Sequence, residues 1–155
     1  YYGLNLQWLL ASGDEKAIGE AYNKLGMAEL NRENFTQAKK HFLNGVDWAM
    51  KGMDKKSMII STMNLGILHD RQFQFDEALD NFHKALSMAR EIENARLTAS
   101  SLFHVGQVLY HQNDYPEAME KLNEALKIVT SQQMENEFPE LFQLIKKINS
   151  DVNFP

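Results

Sequence analysis

The chain has 155 residues, with 44% hydrophobic and 24% charged residues, an ordinary globular balance that excludes a disordered chain. Lys and Arg number 16 against 21 Asp and Glu, a net charge of −5, which argues against nonspecific nucleic-acid binding because phosphate neutralisation needs the opposite sign. There is no cysteine, so disulfides, thiolate metal sites and cysteine nucleophiles are excluded, and no apolar run approaches the roughly 20 residues of a membrane span.

The chain opens on Tyr1–Ser12, with the apolar run Leu9-Leu10-Ala11. It lacks the basic flank of a signal peptide. A shift of 40 residues places Trp8 on Trp48, Asp14 on Asp54 and Gly26 on Gly66. Residues 1–14 are therefore expected to be the second helix of a preceding repeat unit, and the chain an excised piece of a longer protein. The edge at Tyr1–Ser12 is expected to support self-association.

Three units then follow at a step of 40. Leu25-Gly26, Leu65-Gly66 and Val105-Gly106 recur at that step, as do Ala38, Ala78 and Ala118, and Phe42, Phe82 and Leu122. Gly45, Ala85 and Ala125 add a row of small residues. The full units are read as 15–54, 55–94 and 95–134. Asp14, Asp54 and Asn94 are good N-caps, since a short side-chain oxygen accepts from the free N–H groups of a first turn. First helices are predicted over 15–32, 55–72 and 95–112, and second helices over 35–51, 75–92 and 115–131. Pro116 suits a first helical turn, where its missing N–H costs nothing. Small residues permit close helix approach, so Gly26, Gly66 and Gly106 are expected to face Ala38, Ala78 and Ala118, with Phe42, Phe82 and Leu122 filling the space between pairs. A closing helix is predicted over 138–149 within a capping segment 135–149, where Phe138, Leu141, Phe142 and Ile145 are expected to cover the last repeat. Lys146 stands where the repeat would place its glycine, so no further helix is expected there. Residues 150–155 are expected to fray.

The pattern Tyr22-x-x-Leu25-Gly26, Thr62-x-x-Leu65-Gly66 and Leu102-x-x-Val105-Gly106, with Ala-x-x-x-Phe or Ala-x-x-x-Leu twelve residues after the glycine, resembles the tetratricopeptide repeat. The 40-residue period resembles the long repeats of Leu-Gly-Asn spindle-orientation scaffolds and of bacterial Rap-type regulators. Met27, Ile67 and Gln107 replace the Asn of the Leu-Gly-Asn pattern. The resemblance implies an all-α fold: a right-handed α-α superhelix, a tetratricopeptide solenoid of antiparallel helix pairs forming a single domain over 1–149 with a C-terminal capping helix.

It also implies a concave groove lined by the first helices. By resemblance the groove residues are Asn23, Met27, Leu30 and Asn31, then Met63, Ile67, Asp70 and Arg71, then Phe103, Gln107, Tyr110 and His111. An apolar floor with polar edges suits a protein or peptide ligand. The family's carboxylate clamp needs cations where this chain has Asn23, Met27, Ser100 and His104, so free C-terminal carboxylates are not its expected ligand.

Catalytic signals are weak. His104 and His111 are seven residues apart, about two helical turns or 10 Å, too far to share a metal without a third ligand. His41 and His83 fall on second helices. Scattered acids such as Asp76-Glu77 sit at helix starts, where the helix dipole accounts for them. Lys51, Lys55 and Lys56 form a basic cluster, with Lys39-Lys40 earlier. No Gly-rich phosphate loop or HExxH motif occurs. The expectation is a noncatalytic, cytoplasmic protein- or peptide-binding scaffold with no cofactor and no metal, and with neither nucleic acid nor membrane as partner. The alternatives are a peptide-sensing domain of a larger bacterial signalling or transcriptional regulator and, third, an enzyme.

Overall fold

A computed structural model describes residues 2–153, with side chains from 6 to 153. The expectations that rest on Tyr1, on the side chains of residues 2–5 and on Phe154 and Pro155 lie outside the described residues. The described helices are α1 (Tyr2–Ser12), α2 (Glu15–Asn31), α3 (Phe35–Lys51), α4 (Lys55–Arg71), α5 (Phe75–Glu91), α6 (Ala95–His111), α7 (Tyr115–Ser131) and α8 (Pro139–Val152), with a 3-10 turn at Glu135–Glu137. No strand occurs among the described residues. The chain divides into two compact units, residues 1–81 and 82–155.

Helices α2 to α7 are each 17 residues long and are joined by three-residue turns. One chemical device repeats at every turn. Glu33, Met53, Phe73, Glu93, Asn113 and Gln133 all have φ between 50° and 63°, and Gly13 has φ 72°, so the left-handed residues recur every 20 positions. At each of the six non-glycine positions two backbone bonds close the preceding helix. In the first, the Glu33 N–H donates to the Leu30 carbonyl and the Asn34 N–H to the Glu29 carbonyl, at 3.0 and 2.9 Å. This is the Schellman arrangement, which satisfies carbonyls that the helix end leaves orphaned. The residue that completes it then starts the next helix. Asp14, Asp54, Asn94 and Asp114 accept from the amides of Ala17, Ser57, Leu97 and Glu117. Helix stop and helix start thus share three residues, which sets the 20-residue half-period.

Within the first and third pairs, small residues meet large ones. A Cβ on Gly26 would lie 2.4 Å from the Phe42 ring, and one on Gly106 would lie 2.7 Å from the Leu122 side chain. Phe42 thus reaches the glycine of its own pair and, in one buried cluster with Leu65 and Leu68 of α4, also fills the space toward the next pair, as expected. In the third repeat Gly106 touches both Leu122 and the Ala118 carbonyl oxygen. In the first unit Leu30, Ala38, Phe42, Leu65 and Leu68 form one buried cluster. Full burial of a side chain such as Phe42 contributes roughly 1.5–3 kcal/mol.

The closing helix differs from the 138–149 prediction. It starts at Pro139 and runs to Val152, so residues 150–152 are helical rather than frayed. Leu141 and Ile148 are its buried residues, whereas Phe142 is exposed.

Candidate functional site

In residues 1–81 the first helices α2 and α4 carry polar residues inside an apolar framework. Asn23 is only 7% exposed, and Ser61 is fully buried. The Ser61 hydroxyl donates to Asn23 Oδ1 at 3.0 Å, and the Asn64 amide donates to the same oxygen at 3.4 Å. Gly45 of α3 makes room for this pair, since a Cβ there would lie 2.9 Å from Asn23 Oδ1 and 3.0 Å from Ser61 Oγ. The other repeats place Ala85 and Ala125 at the Gly45 position. A buried amide without partners would cost about 1–3 kcal/mol, so these bonds are what permit Asn23 to be there.

Above this pair lies a groove of about 590 Å³, lined by Asn23, Met27 and Asn31 of α2 and by Ser57, Ile60 and Asn64 of α4. Glu20, Lys24 and Ala28 complete its lining. Ile60 is an exposed large hydrophobic, 39% accessible, between polar walls. Met27 packs against the core cluster beneath and lines the groove as well. Ser57 is anchored from below. Its hydroxyl donates to Asp54 Oδ2 at 2.6 Å, and its amide to Asp54 Oδ1 at 3.2 Å. Burial pushes the Asp54 carboxyl up, but these Ser57 bonds and the nearby Lys16 outweigh it, and its pKa falls below the ordinary carboxylate value.

In residues 82–155 the corresponding face of α6 has a neighbour of its own. The Tyr110 hydroxyl donates to Asp151 Oδ2 of α8 at 3.2 Å, and the Lys147 ammonium lies 5.1 Å from the Tyr110 ring centre. The Arg96 guanidinium reaches Glu137 Oε2 at 2.6 Å. Tyr110 and Arg96 thus bind partners 41 residues on. Asn64 and Arg71 bind partners 41 residues back, at Asn23 and at the Leu30 carbonyl. Helix α8 therefore stands to α6 as α4 stands to α2.

The residues expected to line the groove separate accordingly. Asn23, Met27 and Asn31 line it. Leu30 is fully buried in the core cluster, which corrects the expectation for it, and Met63 is not among the residues that line the groove. Ile67 is half-buried against the same cluster. Asp70 is half-buried. Arg71 is exposed along its side chain, and its guanidinium reaches the Leu30 carbonyl at 3.5 Å, tying α4 to the end of α2. Phe103, Gln107 and Tyr110 are half-buried and His111 exposed, with Tyr110 held by the closing helix. Ile60, Ser57 and Asn64 were missed. The signal for Ser57 and Asn64 was their helical spacing with Ser61 along α4.

Two of the histidines pack against aromatic rings. His104 stacks on Phe82 at 5.0 Å and 10°. His41 lies 6.0 Å from the Tyr22 ring, and its Nδ1 is buried without a hydrogen-bond partner among the described residues. Burial lowers the His41 pKa; Glu29 raises it and Lys40 lowers it by smaller amounts. No cluster of three metal-ligating side chains occurs among the described residues. No described helix is long and apolar enough to cross a membrane.

Comparison with known proteins agrees with this architecture. Residues 57–131 match the family model of the tetratricopeptide repeat. A curated relative, the uncharacterized protein ycf37 of Cyanophora paradoxa, is 28% identical over 91 residues, 59% of this chain and 52% of that protein. The match thus spans about half the length of that relative. Aspartyl phosphate phosphatase F from Bacillus subtilis superposes with a TM-score of 0.88 at 15% identity, over 97% of this chain and 40% of that one. A signal-transduction ATPase with a tetratricopeptide repeat sensor from Pyrococcus horikoshii gives 0.79 at 20% identity, over 95% of this chain and 23% of that one. At these identities the likeness is one of fold. The 40-residue helix pairs, the glycine-on-large packing at Gly26 and Gly106, and the family match over residues 57–131 agree on the fold of a tetratricopeptide solenoid.

Proposed function

We propose that the chain is a noncatalytic protein- or peptide-binding module whose ligand lies in the groove of residues 1–81. The observation that carries this reading is the groove itself: an exposed Ile60 and a half-buried Met27 between the amide side chains of Asn23, Asn31 and Asn64. Apolar contacts supply affinity there, and amides, which donate and accept at once, suit the backbone of an extended chain. Phe103, Gln107 and His111 form a proposed surface of their own in residues 82–155, and Ile67, Asp70 and Arg71 remain proposed contacts on α4.

A second reading is the sensing part of a larger signalling protein. It is favoured by the superposition on a chain that carries a tetratricopeptide repeat sensor, and by the small share of that chain which is covered. Both readings use the same groove. The test is affinity capture with the wild-type chain beside a variant combining Asn31→Ala and Ile60→Ala, two exposed changes that spare the core. Partners recovered by the wild type and lost by the variant support the groove; equal recovery contradicts it.

A further inference from the structure

A different surface of residues 1–81 combines three unusual features. The turn between α4 and α5 holds Phe73 at φ 59° with 80% of its surface exposed. A left-handed backbone costs a bulky residue roughly 1–2 kcal/mol, and an exposed aromatic gains nothing from burial. Glycine or a polar residue fills the equivalent place in the other turns, except at Met53. Phe73 meets Phe75 edge-on at 6.2 Å, which gives the exposed ring a fixed neighbour.

Beside this turn is a notch of about 420 Å³, lined by Gln72 and Gln74 from the turn and by Phe35, Lys39, Lys40 and Leu43 from α3. Leu43 is 46% exposed. Neither Lys39 nor Lys40 has an ion-pair partner among the described residues. In the other basic cluster Lys51 lies 4.2 Å over the Trp48 ring and Lys55 has a partner of its own, which leaves Lys56 alone there among the described residues. Two unpaired cations therefore flank apolar surface on a chain whose net charge is −5.

We infer that this notch is a second docking surface, separate from the groove, for an acidic peptide segment carrying one aromatic anchor. Charge complementarity selects the acidic partner: Lys39 and Lys40 are uncompensated, and the rest of this acidic chain repels a negative segment that is not held there. The apolar part of the notch and the Phe73 ring receive the anchor, because aromatic pairs add to the area they bury. Among these turn residues Phe73 is the aromatic one, and its exposed ring stands beside the notch.

The test titrates the isotope-labelled full chain with an acetylated peptide of one phenylalanine flanked by three glutamates on each side, followed by amide chemical shifts. A control peptide has lysines in place of the glutamates. Saturable shifts confined to residues 35–43 and 72–75 are expected with the acidic peptide, and none with the control. Combining Lys39→Glu with Lys40→Glu should weaken binding at least tenfold. Phe73→Gly, which relieves the backbone strain and so keeps the fold, should weaken it at least fivefold. Added salt should weaken it as well, since the charges are exposed. The variant combining Asn31→Ala with Ile60→Ala should bind this peptide like the wild type, which separates this surface from the groove. Absence of shifts at 35–43, equal affinity of the charge-reversed variant, or shifts centred on α2 and α4 would overturn the inference.

Discussion

The two halves of the chain use one repeat chemistry and put the same face to different ends. In residues 1–81 the first helices α2 and α4 meet through Asn23, Ser61 and Asn64 and leave a groove above them. In residues 82–155 α8 occupies the place of a first helix, and its Asp151 and Lys147 hold Tyr110. The repeat position alone does not make a residue a ligand contact. What the next helix offers decides it: Ile60 and Asn64 in the first case, charged side chains that close on a tyrosine in the second. Lys146 stands at the position in α8 that Gly26 and Gly106 hold in their own helices.

The largest effect should show what the halves share. Gly26→Leu and Gly106→Leu each force a side chain into the space of Phe42 or Leu122, and each should destabilise the chain by roughly 3 kcal/mol. Urea unfolding measures this, and an unchanged midpoint for either variant breaks the shared packing rule. Next comes a change that separates the halves. Asn23→Ala leaves the Ser61 hydroxyl and Asn64 amide without their common acceptor, at about 1–3 kcal/mol. Tyr110→Phe removes one hydrogen bond that water can replace, at about 0.5–1 kcal/mol. Equal losses for the two would erase the distinction between a buried polar pair and a surface cap.

A pH dependence should belong to the first half. Its folded state holds the His41 pKa below 6.5, chiefly by burial, so the unfolded chain binds the proton more tightly. The stability from neutral His41 is fully present above the unfolded pKa of about 6.5 and declines as pH falls below it. Lys121 holds the matching place in the third repeat. Melting temperatures from pH 8 to pH 5 should drop less steeply in His41→Gln than in the wild type; parallel curves would contradict the assignment. The smallest effect is a gain. Met53 is left-handed at φ 50° and 86% exposed, so Met53→Gly should stabilise by about 1 kcal/mol or less, read as a raised melting temperature.

The helices were legible because the 40-residue step carries both the caps and the small-large pairs. Asp14, Asp54 and Asn94 announce helix starts by chemistry that acts within one turn. The left-handed turn residues were not legible. Glu33, Phe73 and Gln133 carry no glycine signal, and only the bonds made on either side hold them there. The groove was half legible. Successive helical residues point about 100° apart, so the choice between Met63 and Asn64 rests on a helix rotation that no spacing in one chain specifies. The resemblance to other repeats placed the face at Met63, which is buried, whereas Asn64 and Ile60 line the groove. Leu30 was misplaced for the same reason, one residue from the exposed Asn31.

The central claim is that the open face of residues 1–81 takes the ligand. The most direct measurement is a chemical-shift map of the labelled chain with a peptide selected from a random displayed library on the wild-type protein. The account predicts shifts at Asn23, Met27, Asn31, Ile60 and Asn64, lost with Asn31→Ala combined with Ile60→Ala. Shifts centred on Tyr110 and α8, with the groove residues unmoved, would contradict it.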